Sequence, residues 1–397
     1  MDKKLKNYIR YLCGGMLLSS LASSMYLIVL PLYVYHLTNS AISTAFQVTV
    51  SAIGSLLSCF FVNNFNLFKS DKNHIVAINV CLSLLLCLSY FFSGLNIIYW
   101  LYLISFVATF LDTCSSGYIE SLISFIAKTA ENTNRQNIIA KTKIFSGMGS
   151  ALGFFFGGTL LSLFEYKMVF LMSGGLFILS CIFIHRISIN DAKPRDNAIK
   201  KAVYQILFAK NIFYLSTAHG VSAISLFIYN GSFIYILKNI YNVDDVYVSL
   251  YFFMMMLAAI FGSLFMARLS KSQALPVYMA PRLRTLYALL FLIVAFSTNY
   301  WYFLVSVFVL NFIHAFSIPF WQDCFQKYSA ASQWRVIGTS RKTLVAMAGI
   351  VGSFLGGYLI GGYGVMITYF FAAFLALISS VLLMIFVRQS SEAQPKM

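Results

Sequence analysis

Long apolar runs broken by short polar intervals set the pattern of this chain. A run of about 20 apolar residues is the length at which an α-helix crosses the hydrocarbon of a bilayer. The runs therefore predict spans at about 10–37, 41–65, 75–94 and 97–127, a fifth carrying residues 149–158, and a sixth at about 168–184. A second set follows at about 212–237, 246–267, 285–298, 300–327, 343–362 and 365–387. The fourth run exceeds what a bilayer needs, so its helix is expected to tilt or to project into the cytoplasm. Ser40 joins spans 1 and 2, and residues 94–96 join spans 3 and 4. External loops this short exclude a receptor-like ectodomain. The predicted fold class is all-α and integral to the membrane, with about twelve transmembrane helices.

The longest polar interval starts at Arg186 and holds Lys193, Pro194, Arg195 and Asp196. It divides the chain into a six-helix bundle at 1–185, a cytoplasmic linker at 186–208 and a second six-helix bundle at 209–397. Residues 198–208 are expected to form an amphipathic helix on the membrane surface. The two bundles repeat each other. Gly149, Gly153, Gly157 and Gly158 in span 5 return as Gly352, Gly356 and Gly357 in span 11. Gly352 follows Gly153 by 199 positions, half of the 397-residue chain, and Lys342 follows Lys143 by the same number. A basic loop with Arg135 or Arg335 precedes each glycine set. Glycines four apart share a helix face and let a second helix approach almost to backbone contact. In water each would weaken a helix by about 1 kcal/mol relative to alanine. Here they read as packing seams.

Composition agrees with the pattern: 60% of residues are hydrophobic and 10% charged, against about 25% charged in soluble domains. The net charge of +16 raises nucleic acid as a partner, and its distribution removes it. Apart from Lys167 and Lys238, the basic residues are assigned to the termini and to alternate loops. That is the positive-inside pattern, and it places both termini in the cytoplasm. The basic N-terminus precedes an apolar stretch too long for a signal peptide, so it is expected to be a retained first span. The seven cysteines include no Cys-x-x-Cys pair and no metal-spaced cluster, so they read as buried free thiols.

Ionisable groups inside apolar spans are costly and mark candidate function. Asp112 falls near the midplane of span 4. Glu120 lies eight residues on, about 80° round the helix and roughly 12 Å nearer the cytoplasm. His314 and Asp323 in span 10 are expected at depths matching Asp112 and Glu120, with His219 in span 7 a further candidate. One or more of these five would bind and release a proton; the alternative is a neutral group pinning helix packing. Glu120 and Asp323 could instead pair with Lys128, Lys327 or Arg335 as a gate. Glu165, beside Lys167, reads as a solvated charge at the external edge. No Gly-x-x-x-x-Gly-Lys-Ser/Thr phosphate loop is present, so ATP is not the expected energy source. No nucleophile–base pairing points to an enzyme. A sensor or scaffold that moves nothing remains a reading from a different class.

The stretch Ser19-Ser-Leu-Ala-Ser-Ser-Met-Tyr-Leu-Ile-Val-Leu-Pro-Leu-Tyr-Val-Tyr-His-Leu-Thr-Asn-Ser40, together with Gly149-x-x-x-Gly153 and Gly157-Gly158, resembles the major facilitator superfamily. Within it the chain is similar to the bacterial branch that includes enterobactin-type siderophore exporters. The glycine set is similar to the fifth-helix signature of proton-coupled antiporters, although Phe154 stands where that signature carries proline. Asn64 and Phe68 replace the Gly and Asp usual between helices 2 and 3, leaving Lys69, Asp71 and Lys72 there. Ser23 replaces an acid common in helix 1, and span 4 lacks the arginine that often begins it.

The resemblance implies two pseudo-symmetric bundles working by alternating access, with spans 1 and 7 lining a central cavity. Tyr26, Tyr33, Tyr35, Phe227, Tyr229, Asn230, Tyr235 and Gln322 then become lining candidates for an amphipathic, partly aromatic solute, or else lipid-facing residues. The function implied is proton-coupled export of a small metabolite such as a siderophore across a bacterial inner membrane. It would use the proton gradient, no cofactor and no metal, as a monomer in the bilayer. Efflux of a drug or self-made antibiotic and uptake of an iron–siderophore complex are the alternatives.

Overall fold

Segments that cross lipid must satisfy every backbone N–H and C=O internally, which leaves helices for a chain of this pattern. The computed structural model describes residues 3–64, 70–91, 96–129, 132–187, 213–272, 279–327 and 334–392, and all its elements are helical. In chain order these are α1 (Lys3–Thr38), α2 (Ala41–Asn64), α3 (Asp71–Ser89), α4 (Ile97–Thr129), α5 (Asn132–Leu161) and α6 (Tyr166–His185). Then come α7 (Phe213–Tyr235), which runs into a π-turn at Ile236–Ile240, α8 (Asp245–Ser272), α9 (Met279–Ala295), α10 (Tyr300–Lys327) and α11 (Trp334–Glu392). Among the described residues, ten stretches are long and apolar enough to cross a membrane. The last of them is 49 residues long, and Gly364, at φ 80° and ψ −178°, breaks it into two arms. That backbone conformation is open almost only to glycine. With both arms and the 17-residue α9 counted, the described residues supply the twelve expected segments.

Three boundaries differ from the sequence reading. Helix α5 begins at Asn132 and α11 at Trp334, so most of both basic loops is helical. Helix α9 begins at Met279 and takes Pro281 into its first turn, where a missing N–H breaks no helical bond. The linker and its surface helix at 198–208 lie outside the described residues, apart from Arg186 and Ile187.

The chain clusters into two compact units. Unit 1 is Met1–Asn39, Val50–Arg195 and Val243–Met256; unit 2 is Ser40–Thr49, Asp196–Asn242 and Leu257–Met397. In unit 1 the α5 glycines lie on the α1 backbone, Gly149 against Leu17, Gly153 against Leu21 and Gly157 against Met25. In unit 2 the α11 glycines meet α7 in the same way, Gly352 against Ile224 and Gly356 against Ile228. Gly158 sits against Ser249 within unit 1, and Gly357 against Ala45 within unit 2. Both glycine sets lie where two helices approach closely.

Smaller features repeat with them. Asn39 and Asn242, at φ 50° and 49°, take the left-handed backbone that asparagine tolerates where helices end. Ser180 Oγ donates to Gly15 O at 2.8 Å in unit 1, and Ser379 Oγ to Ala218 O at 2.7 Å in unit 2. Many hydroxyls inside the helices donate to a carbonyl one turn back, as Ser105 does to Leu101 and Thr368 to Gly364. This satisfies a polar group that lipid could not. Exposed large apolar side chains cover the surface, as a lipid-facing protein requires. Tyr99 and Tyr302, near the starts of α4 and α10 and 75% and 73% exposed, suit the membrane interface. The chain is a multi-pass membrane protein.

Candidate functional site

In unit 1 the chemistry gathers where α4 meets α1. Asp112 lies about halfway along α4, and its Oδ1 accepts a 2.7 Å hydrogen bond from Ser23 Oγ. Ser23, which stands where the resembled family carries an acid, serves as a donor to an acid supplied by another helix. Tyr26, one turn along α1, is fully buried and packs against Phe177 at 6.3 Å between ring centroids. Its hydroxyl lacks a partner and lies within electrostatic reach of Asp112. A carboxyl with one fixed donor in a mostly apolar interior can exist in both protonation states without the helices rearranging.

Unit 2 holds a different arrangement. Arg284 of α9 is buried, at 3% exposure, and its Nη2 donates to Ser317 Oγ at 3.0 Å. Its guanidinium carbon lies 5.2 Å from the Tyr287 ring centroid and 5.0 Å from that of Trp321. Ser317 Oγ in turn donates to His314 O at 2.7 Å. The His314 ring sits 6.0 Å from Tyr287, and His219 of α7 sits 4.8 Å from Trp321 and 5.8 Å from Phe325. Arg341 of α11 lies over Phe325 at 5.7 Å. Arg284 Nε, Arg341 Nε, His314 Nδ1, both nitrogens of His219 and the Tyr287 hydroxyl are buried without a hydrogen-bond partner. Sequence reading found the two histidines and missed the two arginines by assigning them to loops. The available signal was Pro281, which marks a helix start and so puts Arg284 inside the helix.

The other predicted residues scatter. Glu120 is half exposed and pairs with Lys143 at 3.8 Å, a partner on α5 that the sequence reading had not considered. Exposed pairs contribute about 0–1 kcal/mol. Lys143→Met is accordingly expected to move the melting midpoint by less than about 2 °C in a detergent thermal-shift assay. Tyr33 stacks on Tyr166 at 4.5 Å, and Tyr166 Oη donates to Asp245 Oδ2 at 3.4 Å, near the adjoining ends of α1, α6 and α8. Tyr35 and Tyr229 are buried, Tyr229 among Phe233, Phe291 and Tyr369. Phe227 faces the α7–α11 seam at Gly352. Asn230 and Tyr235 are half-buried, and Glu165 is exposed. The side chains of Gln322 and Asp323 lie outside the described residues. Phe154, at the signature's proline position, stacks on Phe252 at 4.9 Å within unit 1.

The proposed equivalence of Asp112 and His314 shifts by a turn. Gly54 meets Phe106 O and Phe110 N, and Gly262 meets Phe312 O and Phe316 N. Those contacts place α4 and α10 in register at 206 positions apart, which makes Ala108 the counterpart of His314 and Ile318 that of Asp112. Their difference of 202 is four residues short, about 6 Å along a helix. The acid belongs to unit 1 and the histidines to unit 2, each in its own surroundings.

Comparison with known proteins fits this geometry. Solved structures with the same fold include three transporters. The POT family transporter PepTSo is 12% identical with TM-score 0.73, covering 98% of this chain and 99% of that one. A point mutant of the nucleoside transporter NupG is 12% identical with TM-score 0.66, covering 96% and 99%. A bacterial homolog of the human lysosomal transporter Spinster is 13% identical with TM-score 0.66, covering 99% and 98%. No curated protein matches the sequence. The sequence profile described as Major Facilitator Superfamily matches residues 12–341, taking in the first glycine seam, the Asp112–Ser23 pair and the Arg284 cluster up to Arg341, and ending before the second set of glycines. With two internally repeated helical units of this architecture, the chain belongs to the major facilitator superfamily of transporters.

Proposed function

We propose that the protein is a proton-coupled exporter of a small amphipathic metabolite, with a siderophore as the first substrate class. Asp112 held by Ser23 Oγ at 2.7 Å carries the coupling half of this reading. A carboxyl inside a membrane helix is retained against a cost of a few kcal/mol, and taking up and releasing a proton is the use that fits one carboxyl with one donor. The export half rests on the resemblance of residues 19–40 and of the glycine set. The protein would act as a monomer in a bacterial inner membrane, with both termini cytoplasmic and the proton gradient as energy source. Its two pseudo-symmetric halves would alternate access to the solute.

Transport into proteoliposomes under an imposed pH gradient tests this. Iron-free and iron-loaded siderophores are supplied on the cytoplasmic face and, in separate preparations, on the opposite face. Gradient-dependent movement of the iron-free form away from that face is the expected result. Movement only of the iron-loaded form, toward the cytoplasmic face, would establish uptake instead. Movement of lipophilic drugs with no siderophore transport would establish drug efflux.

A further inference from the structure

We propose that the cationic cluster inside unit 2 recognises a carboxylate, so that the transported solute is an organic acid with a flat, ring-sized body. This rests on the transporter reading for what the bound acid is for. The charge comes first. Arg284 is 3% exposed, His219 stands within electrostatic reach of Arg284, Arg341 and His314, His314 stands within reach of Arg284, and among the described side chains unit 2 holds no acid. A buried cation without a counter-ion is costly, and a membrane protein that keeps one has something to pair it with.

Geometry selects the partner. Tyr287 and Trp321 take up two directions around the guanidinium, and Ser317 occupies Nη2. Nε remains without a partner, and it donates in the guanidinium plane. A charged carboxylate oxygen is the acceptor that suits such a donor, because charge-assisted bonds of this kind are short and strong. The partnerless Nδ1 of His314, the nitrogens of His219 and the Tyr287 hydroxyl supply further polar atoms. Trp321 and Phe325, packed on His219, supply apolar ring surface beside these polar atoms.

The internal repeat shows that the fold does not require this charge. Cys181 Sγ donates to Val76 O in unit 1, and Ser380 Oγ to Pro281 O in unit 2. That register makes Asn79 the counterpart of Arg284. Asn79 is neutral, and its side chain is matched by Ser115 and Ser180 at 3.4 Å each. The Ser180–Gly15 and Ser379–Ala218 bonds make Met16 the counterpart of His219, and Ala108 is that of His314. At all three places unit 1 packs with uncharged residues. The charge in unit 2 is an addition to the scaffold.

Isothermal titration calorimetry on the purified full chain in detergent tests this without transport, so failure here leaves the coupling reading standing, and failed transport leaves this site standing. The probes are benzoate and salicylate, with benzamide as the neutral counterpart and phenyl phosphate as the other oxyanion. The expected result is binding of an acid, none of benzamide, and an affinity at least about tenfold weaker in Arg284→Gln. The ligand-free melting midpoint of that variant is expected to be unchanged or higher, because it removes a buried cation that has no acidic partner among the described side chains. Should it fail to fold, His314→Ala carries the same comparison, with a loss of about threefold. Absence of binding by both acids, equal binding of benzamide, or unchanged affinity in the variant that folds would each overturn the proposal. Tighter binding of phenyl phosphate would overturn the carboxylate assignment in favour of a phosphate site.

Discussion

Gly153→Ala and Gly356→Ala each destabilise the protein, although alanine is the better helix former by about 1 kcal/mol. The sign of this result separates a packing seam from glycines that happen to be abundant. A Cβ at Gly153 would fall on the Leu21 carbonyl, with Ser24 Cβ at 2.9 Å and Leu21 C at 3.0 Å. At Gly356 it would fall on the Ile228 carbonyl, with Ile228 C at 2.9 Å and Cα at 3.0 Å. Most of these neighbours are backbone atoms of α1 and α7, which cannot rotate away. The helices must separate, and overpacking of that kind costs about 1–3 kcal/mol. Gly175 and Gly362 are also helical, and an added Cβ there meets nothing within 4 Å. Alanine at those two positions is expected to leave the melting midpoint unchanged or to raise it. Fluorescence-detected size exclusion with a thermal ramp would show lower midpoints, by several degrees, for the first pair only. Equal behaviour of all four would mean that the seams do not hold the units together.

The seams were legible in the sequence because glycine spacing acts directly on backbone approach, and no other side chain can mimic it. The spans were legible because a bilayer sets a minimum apolar length. Facing was harder to read. In lipid a helix can be apolar all round, so position along the chain does not reveal which side meets a neighbour. Asp112 could be picked out by residue type, yet its donor Ser23 became visible only when α1 and α4 were brought together. Arg284 was misplaced because a proline and several basic residues normally mark a loop; three-dimensional context shows Pro281 in the first turn and the arginine between aromatic rings. The depth match of Asp112 with His314 failed because the repeat offset varies, from 199 at the α5 and α11 glycines to 206 at α4 and α10. One number cannot register every helix.

Asp112→Asn is expected to abolish gradient-driven transport while leaving a folded protein. Asparagine matches the shape of aspartate, and its carbonyl can still accept the bond that Ser23 Oγ now gives to Oδ1 at 2.7 Å. What it loses is the ability to take up and release a proton. If Asp112 carries the coupled proton, accumulation against a gradient falls at least about tenfold. Gradient-independent exchange of the same solute persists, because the helices and the unit 2 cluster are untouched. Ser23→Ala makes the complementary change, keeping the carboxyl and removing its donor. A neutral hydrogen bond contributes about 0.5–1.5 kcal/mol and one to a charged group somewhat more, so a milder loss of roughly threefold to tenfold is expected there. Counterflow and pH-jump uptake measured on the same proteoliposomes separate the two activities. Full accumulation by Asp112→Asn would remove the acid from the mechanism and make it a packing group between α1 and α4. Loss of exchange as well as accumulation, with an unchanged melting midpoint, would place the residue in solute binding. Only a split between the two activities assigns Asp112 to the proton.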